Sequence, residues 1–317
     1  MNISKGKLPF KAICTETEFW HENVTVKLTH FPDSVEVMYQ KNRNKGGQFG
    51  ITKLTKDTYK VNATGEIKEF VFGENRKDNI DSLRKTFKKI RNIINCNFHG
   101  GDNELMFTGT YAENMTDTKR LYDDFRKFMQ RLKYRYGKVE YMSIVEPQAR
   151  GAWHVHVLLK FIEVEKIYIP NEDISALWGQ GFTTVRRIRK DVDNLGAYLS
   201  AYLGDIEVTD DVDVSELIGD RRIVEYKTVE VEGQKKKIIK GGRLHLYPSG
   251  MNIYRCSRGI KQPVIEEVEA GNYMPLWDDN WKPSYVSAVN IFDDDGVEIN
   301  KIIYETYKLN DLKNESE

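Results

Sequence analysis

The run Trp153-His154-Val155-His156-Val157-Leu158-Leu159-Lys160-Phe161 sets two histidines at alternate positions in an otherwise apolar stretch. Read as a strand, its successive side chains point to opposite faces. His154 and His156 then share one face, while Val155, Val157 and Leu159 share the other and can pack on a core. Two imidazoles side by side can each offer a neutral nitrogen to a divalent metal. Taken alone, the His-x-His spacing reads more simply as two half-exposed histidines on an edge strand, so its neighbours decide.

Just upstream, Val139-Glu140-Tyr141-Met142-Ser143-Ile144-Val145-Glu146 reads as another strand, and Pro147 to Ala152 as a turn. Two strands so close in sequence pair most economically as an antiparallel hairpin. A turn centred on Arg150 sets Glu146 opposite His154, and directly opposed residues point to the same face. One carboxylate and two imidazoles then surround a common point. Such a set, with open coordination positions, suits a divalent ion that also holds a substrate oxygen. Downstream, Tyr198 and Tyr202 lie four residues apart in a segment with helical spacing, so their hydroxyls share one helix face.

The elements that position these residues follow from periodicity. Residues 1 to about 75 alternate as strands, with Val24 to Leu28 and Val35 to Tyr39 on either side of a Phe31-Pro32-Asp33-Ser34 turn. From Asp78 the period becomes helical: Ile80, Leu83, Phe87, Ile90 and Ile94 form one stripe, with basic residues on the other faces. Leu105 to Tyr111 reads as a buried strand. Asp117 caps a helix whose stripe is Leu121, Phe125, Phe128, Leu132 and Tyr136, and Gly137 ends it. Asp173 to Trp178 is a short helix stopped by Gly179. Phe182 to Arg189 is a strand with a basic face, and a helix runs on to Gly204. Further strands are expected around Gln234, at Arg243 to Pro248 and at Ile253 to Arg258. The acidic stretch Asp205 to Asp220 reads as a solvated linker.

The chain has 317 residues and a formal net charge of zero, so phosphate binding would have to come from local basic clusters. Cys14, Cys96 and Cys256 are too few and too scattered for a disulfide framework or a zinc finger. No apolar run approaches a membrane span and no secretory h-region is present, so a soluble cytoplasmic protein without membrane partners is expected. No G-x-x-x-x-G-K-[ST] phosphate loop occurs, which argues against a built-in ATP-driven motor.

Three segments, in this order, resemble rolling-circle replication initiators of the HUH endonuclease superfamily, of the type carried by plasmids and phages of Gram-positive bacteria. They are Phe107-Thr108-Gly109-Thr110-Tyr111, Glu146 to His156, and Ala197-Tyr198-Leu199-Ser200-Ala201-Tyr202-Leu203, with a weaker echo in Arg255 to Pro263. The resemblance implies an α+β fold, a central antiparallel sheet with helices packed on its faces as in a ferredoxin-like palm, flanked by β-rich accessory segments. It divides the chain into a β-rich N-terminal accessory segment (1–77), a nuclease domain (78–205) and a C-terminal segment (206–317) that partly completes the nuclease or is accessory. Carried over residue by residue, Glu146, His154 and His156 bind Mg²⁺ or Mn²⁺, Tyr198 is the nucleophile, and Tyr202 is the second tyrosine found in some relatives. Arg150, Arg186, Arg187, Arg189 and Lys190 are candidates for DNA contacts. Two positions depart from the pattern. Ala201 stands where many relatives have lysine, leaving Arg187, Arg189 or Lys190 to supply that charge, and Gly109 replaces a larger apolar residue.

The implied activity is nicking and rejoining of single-stranded or hairpin origin DNA through a 5′-phosphotyrosine link. Its partners would be a host helicase and DNA polymerase, and a homo-oligomer is possible. Conjugative relaxases and single-strand transposases use the same chemistry, but relaxases commonly carry three clustered histidines, where this chain has two. A non-catalytic DNA-binding relative would bind DNA without metal and would not cleave it. A purely structural protein would need the histidines, the glutamate and the tyrosine pair to coincide by accident.

Overall fold

The structure, a computed structural model, describes residues 24–41, 51–70, 80–148, 151–188, 206–207, 226–231, 234–239, 246–248, 250–273, 283–292 and 298–308. In chain order its elements are β1 Thr25–His30, β2 Ser34–Gln40, β3 Ile51–Lys53, β4 Thr58–Val61, β5 Ile67–Glu69, α1 Ile80–Asn97, β6 Glu104–Gly109, α2 Thr118–Tyr136, β7 Val139–Pro147, β8 Trp153–Phe161, α3 Asn171–Trp178, β9 Thr183–Arg187, β10 Ile206–Glu207, β11 Tyr226–Val231, β12 Gln234–Ile239, β13 Tyr254–Cys256, β14 Val264–Glu269, β15 Tyr285–Phe292 and β16 Glu298–Lys308. The fold is α+β, built on antiparallel sheets. The chain divides into two units, one made of Met1–Val71 with Pro263–Glu317 and the other of Phe72–Gln262.

The second unit is organised on a five-stranded sheet in the order β13-β7-β8-β6-β9, with every pairing antiparallel. Its helices form where the sequence spaces apolar residues at three and four. In α2, Leu121, Phe125, Phe128, Met129 and Leu132 make one buried stripe. The Asp117 carboxylate accepts hydrogen bonds from the N–H groups of Lys119 and Arg120, and the N–H of Gly137, at φ 81°, donates to the Lys133 carbonyl. This stripe lies on the sheet face that carries Phe107, whose ring stacks on Phe128 at 4.5 Å between centroids. Trp178, from α3, stands edge-on to Phe107, Phe128 and Tyr111. Gly109 shares the face of Phe107. A Cβ there would lie 2.8 Å from the tip of the Phe107 ring and 3.0 Å from Trp178 Cε2. The aromatic cluster fills the room that a larger residue would need.

The opposite face of the sheet carries Lys160, two and three pleats along from His156 and His154. Its ammonium donates to the Asn97 carbonyl at the end of α1 and pairs with Glu104 at 2.9 Å. Glu104 is 2 % exposed. Its other oxygen accepts the N–H groups of His99, Gly100 and Gly101, so one carboxylate organises the α1–β6 turn. Ile90, Ile93 and Ile94 of α1 are fully buried. A small three-stranded sheet, β10-β12-β11, belongs to the same unit.

The first unit joins both ends of the chain. Its five-stranded sheet has the order β14-β1-β2-β16-β15, around a small core of Val26, Leu28, Val35, Val37, Ala270 and Tyr307. The Tyr307 hydroxyl donates to the buried Glu305 carboxylate at 2.7 Å; burial first, and then that carboxylate, push the phenol well above its usual range. A separate sheet has the order β3-β4-β5. Among the described residues, no helix is long and apolar enough to cross a membrane.

Candidate active site

The β7–β8 hairpin pairs Glu146 with His154 and Ile144 with His156, the register of a turn centred on residue 150. The turn closes through the Gln148 N–H on the Ala152 carbonyl and the Gly151 N–H on the Gln148 carbonyl, with Gly151 at φ 88°, a conformation that glycine adopts without strain. Trp153, Val155, Val157 and Leu159 are buried and hold β8 to the core from behind. Trp153 is pinned further by its indole N–H, which donates to the Thr116 carbonyl at 2.9 Å. The alternation that buries these four turns His154 and His156 to the other face.

On that face Glu146 Oε2 and His156 Nε2 meet at 2.7 Å, and Glu146 is only 6 % exposed. The other ring nitrogen, Nδ1, lies 3.1 Å from the Thr108 hydroxyl, whose strand position is directly opposite His156. Burial, and next the charge of Arg186, hold the His156 imidazole below its usual value, at about 4. The ring is therefore neutral at neutral pH. The partners assign its proton: Nε2–H donates to Glu146, and the Thr108 hydroxyl donates to Nδ1. Thr108 stood in the sequence only as part of a strand segment, and it is the contact that residue-by-residue reading missed. The signal for it was available, since Thr108 and His156 fall in one row once the β6–β8 register is known.

His154 stands on the same face, its ring centroid 6.1 Å from that of His156. A neutral imidazole beside a buried carboxylate is a donor pair that fits a divalent cation. Their direct hydrogen bond occupies the space between them, and an ion would have to replace it. Among the described residues, no three His, Cys, Asp or Glu side chains stand grouped to hold a metal ion.

The basic candidates separate by face. Met106 pairs with Arg186, and Thr108 with Thr184, so Arg186 and Thr184 share the face of His156. Arg186 is exposed, and its guanidinium reaches Met106 Sδ at 3.9 Å. Arg187 points to the other face and pairs with Asp102 at 2.5 Å. Arg150, Arg189, Lys190, Tyr198 and Tyr202 lie outside the described residues, as does Ala201. From the segment after the histidine strand, Arg255 packs over the Tyr122 ring at 3.5 Å, and its strand β13 pairs with β7 through Ser143.

No curated protein matches the chain. Residues 104–207, about a third of it, match the family model of the ORF2-type replication-associated proteins. The match opens on the first residue of β6 and closes on the last of β10, so it contains Thr108, Glu146, His154, His156 and Arg186 and spans Tyr198 and Tyr202. Over this stretch the chain is similar to replication-associated proteins, which supports a part in the initiation of replication.

Proposed function

We propose that this chain initiates rolling-circle replication by nicking single-stranded origin DNA through a tyrosine, and later rejoins the strands. The observation that carries the reading is the contact of Glu146 with His156, beside His154, on one face of a hairpin inside the stretch similar to replication-associated proteins. The tyrosines enter from the sequence resemblance alone.

In this reading Glu146, His156 and His154 hold Mg²⁺ or Mn²⁺. When bound, the ion polarises the scissile phosphate and offsets its developing charge. Glu146 brings the negative charge and His156 a neutral nitrogen, with Thr108 turning its hydroxyl to accept the Nδ1 proton that such a ligand carries. The Tyr198 oxygen attacks phosphorus, the bond from phosphorus to the 3′ oxygen breaks, and the leaving oxygen takes a proton to become a free 3′-OH. Tyr202 repeats the step on a second strand. The phosphotyrosine bond keeps the phosphodiester's free energy, so the 3′-OH of a later strand reverses the attack without ATP. Tyrosine suits this task better than an activated water, which would lose the link irreversibly. The phenol, with an ordinary pKa of about 10, must give up its proton during attack. Duplex opening falls to a host helicase, and extension of the 3′-OH to a polymerase.

The test is direct. Purified protein with Mn²⁺ and a labelled single-stranded origin oligonucleotide should yield a covalent, protease-sensitive adduct. Tyr198→Phe combined with Tyr202→Phe should abolish it. Absence of an adduct with the unaltered protein, or its survival in the double variant, refutes the mechanism.

A further inference from the structure

We propose that the edge strand β9 is a track for single-stranded DNA beside His156, on which Phe182 stacks a base and Arg186 holds a backbone phosphate. The inference rests on the nicking reading and assigns the residues that would seat the strand there.

Phe182 immediately precedes β9, and its ring is 70 % exposed. Gly109 pairs with Thr183, so the ladder carried one residue further sets Phe182 beside Thr110. The hydrogen bonds agree: the Thr110 N–H and the Thr110 hydroxyl both donate to the Phe182 carbonyl, each at 2.9 Å. Alternation then puts Phe182, Thr184 and Arg186 on one face of an edge strand, the face of His156. All three are exposed. The influence of Arg186 on the His156 ring places its charge within electrostatic reach of that ring.

The backbone that presents Phe182 is held in place. A Cβ on Gly181 would lie 2.6 Å from the Ala112 nitrogen and 2.8 Å from the Thr110 carbonyl oxygen, so glycine lets this turn press against the end of β6. Nearby aromatics took the other course: Phe107, Tyr111 and Trp178 are all buried in the core. An exposed phenylalanine forfeits about 2 kcal/mol of burial, which a stacked base would return. Stacking tolerates any base, and a guanidinium close by matches the negative backbone. Charge selects DNA over a protein strand as the occupant, since no carboxylate among the described residues pairs with Arg186, whereas Arg187 on the opposite face is already paired with Asp102. Preorganised geometry lowers the cost of ordering on binding.

The experiment is fluorescence anisotropy of the full chain with a fluorescein-labelled oligothymidylate in EDTA, over a range of salt. Phe182→Ala should weaken binding roughly tenfold with its salt dependence unchanged. Phe182→Trp should restore it. Arg186→Gln should weaken binding and lower the salt slope by about 0.7. Tyr168→Ala, which removes an aromatic 78 % exposed in the loop before α3, should bind as the unaltered protein does. If Phe182→Ala matches Tyr168→Ala, the track is refuted. An adduct that still forms in that case leaves the nicking reading intact, while failure of the unaltered protein both to bind the oligonucleotide and to form an adduct refutes both.

Discussion

Glu146 lies directly opposite His154 in the strand ladder, yet its carboxylate meets the ring of His156, the diagonal neighbour, at 2.7 Å. A diagonal contact of this kind is within reach of long side chains on one face. It makes Glu146 the acceptor for His156 before any ion arrives. Glu146→Gln keeps the shape and removes the charge, so Mn²⁺ affinity measured calorimetrically should fall at least about tenfold. Adduct formation should fall with it. The melting temperature should move little, because the amide oxygen still accepts from Nε2.

The Thr108 contact predicts a tautomer. With the Thr108 hydroxyl donating to Nδ1 and Nε2–H donating to Glu146, ¹⁵N spectra of the metal-free protein should show His156 protonated at Nε2. Thr108→Val removes the hydroxyl with little change in shape. It should cost about 1 kcal/mol of stability and roughly tenfold or more in Mn²⁺ affinity, and Thr108→Ser should recover most of both. A ring that keeps the same tautomer and affinity in Thr108→Val would mean that Glu146 alone orients it.

What could be read from the sequence was local. Asp117 and Gly137 mark the ends of α2 because caps act within a few residues of themselves, and the β7–β8 register follows from a turn of known centre. The partners of distant strands were not legible. Alternation marks β1, β2 and β16 as strands, but nothing in their pattern says that residues near the two ends of the chain form one sheet, or that β13 extends the sheet of the histidines. Side-chain choice was equally hidden: the ladder sets Glu146 against His154, and only the packed geometry turns it to His156. Arg186 and Arg187 look alike in sequence, and the strand sends one toward His156 and the other to Asp102.

Gly109 offers a packing test. The ring that an added Cβ would strike, Phe107, is held between Phe128 and Trp178, so it cannot swing aside as a flexible side chain would. Gly109→Ala should destabilise the protein by about 1–3 kcal/mol, read from urea denaturation. The larger Gly109→Leu should cost more. Combining Gly109→Ala with Trp178→Phe, which withdraws the indole, should cost less than the sum of the two single changes.

The Glu104–Lys160 pair offers the opposite kind of test. Glu104 is buried with three backbone N–H groups on one oxygen and an ammonium on the other. Lys160→Met leaves that carboxylate buried without its counter-charge, and breaking one side of a buried pair costs about 3–5 kcal/mol. The remaining N–H donors and the partial exposure of Lys160 put the expected loss at the lower end of that range. Glu104→Gln with Lys160→Met removes both charges while keeping an acceptor for the turn, so the double variant should be more stable than Lys160→Met alone. Should the single and double variants unfold at the same urea concentration, the N–H groups of His99, Gly100 and Gly101 would be sufficient to hold the carboxylate, and Lys160 would owe its place to the Asn97 carbonyl at the end of α1.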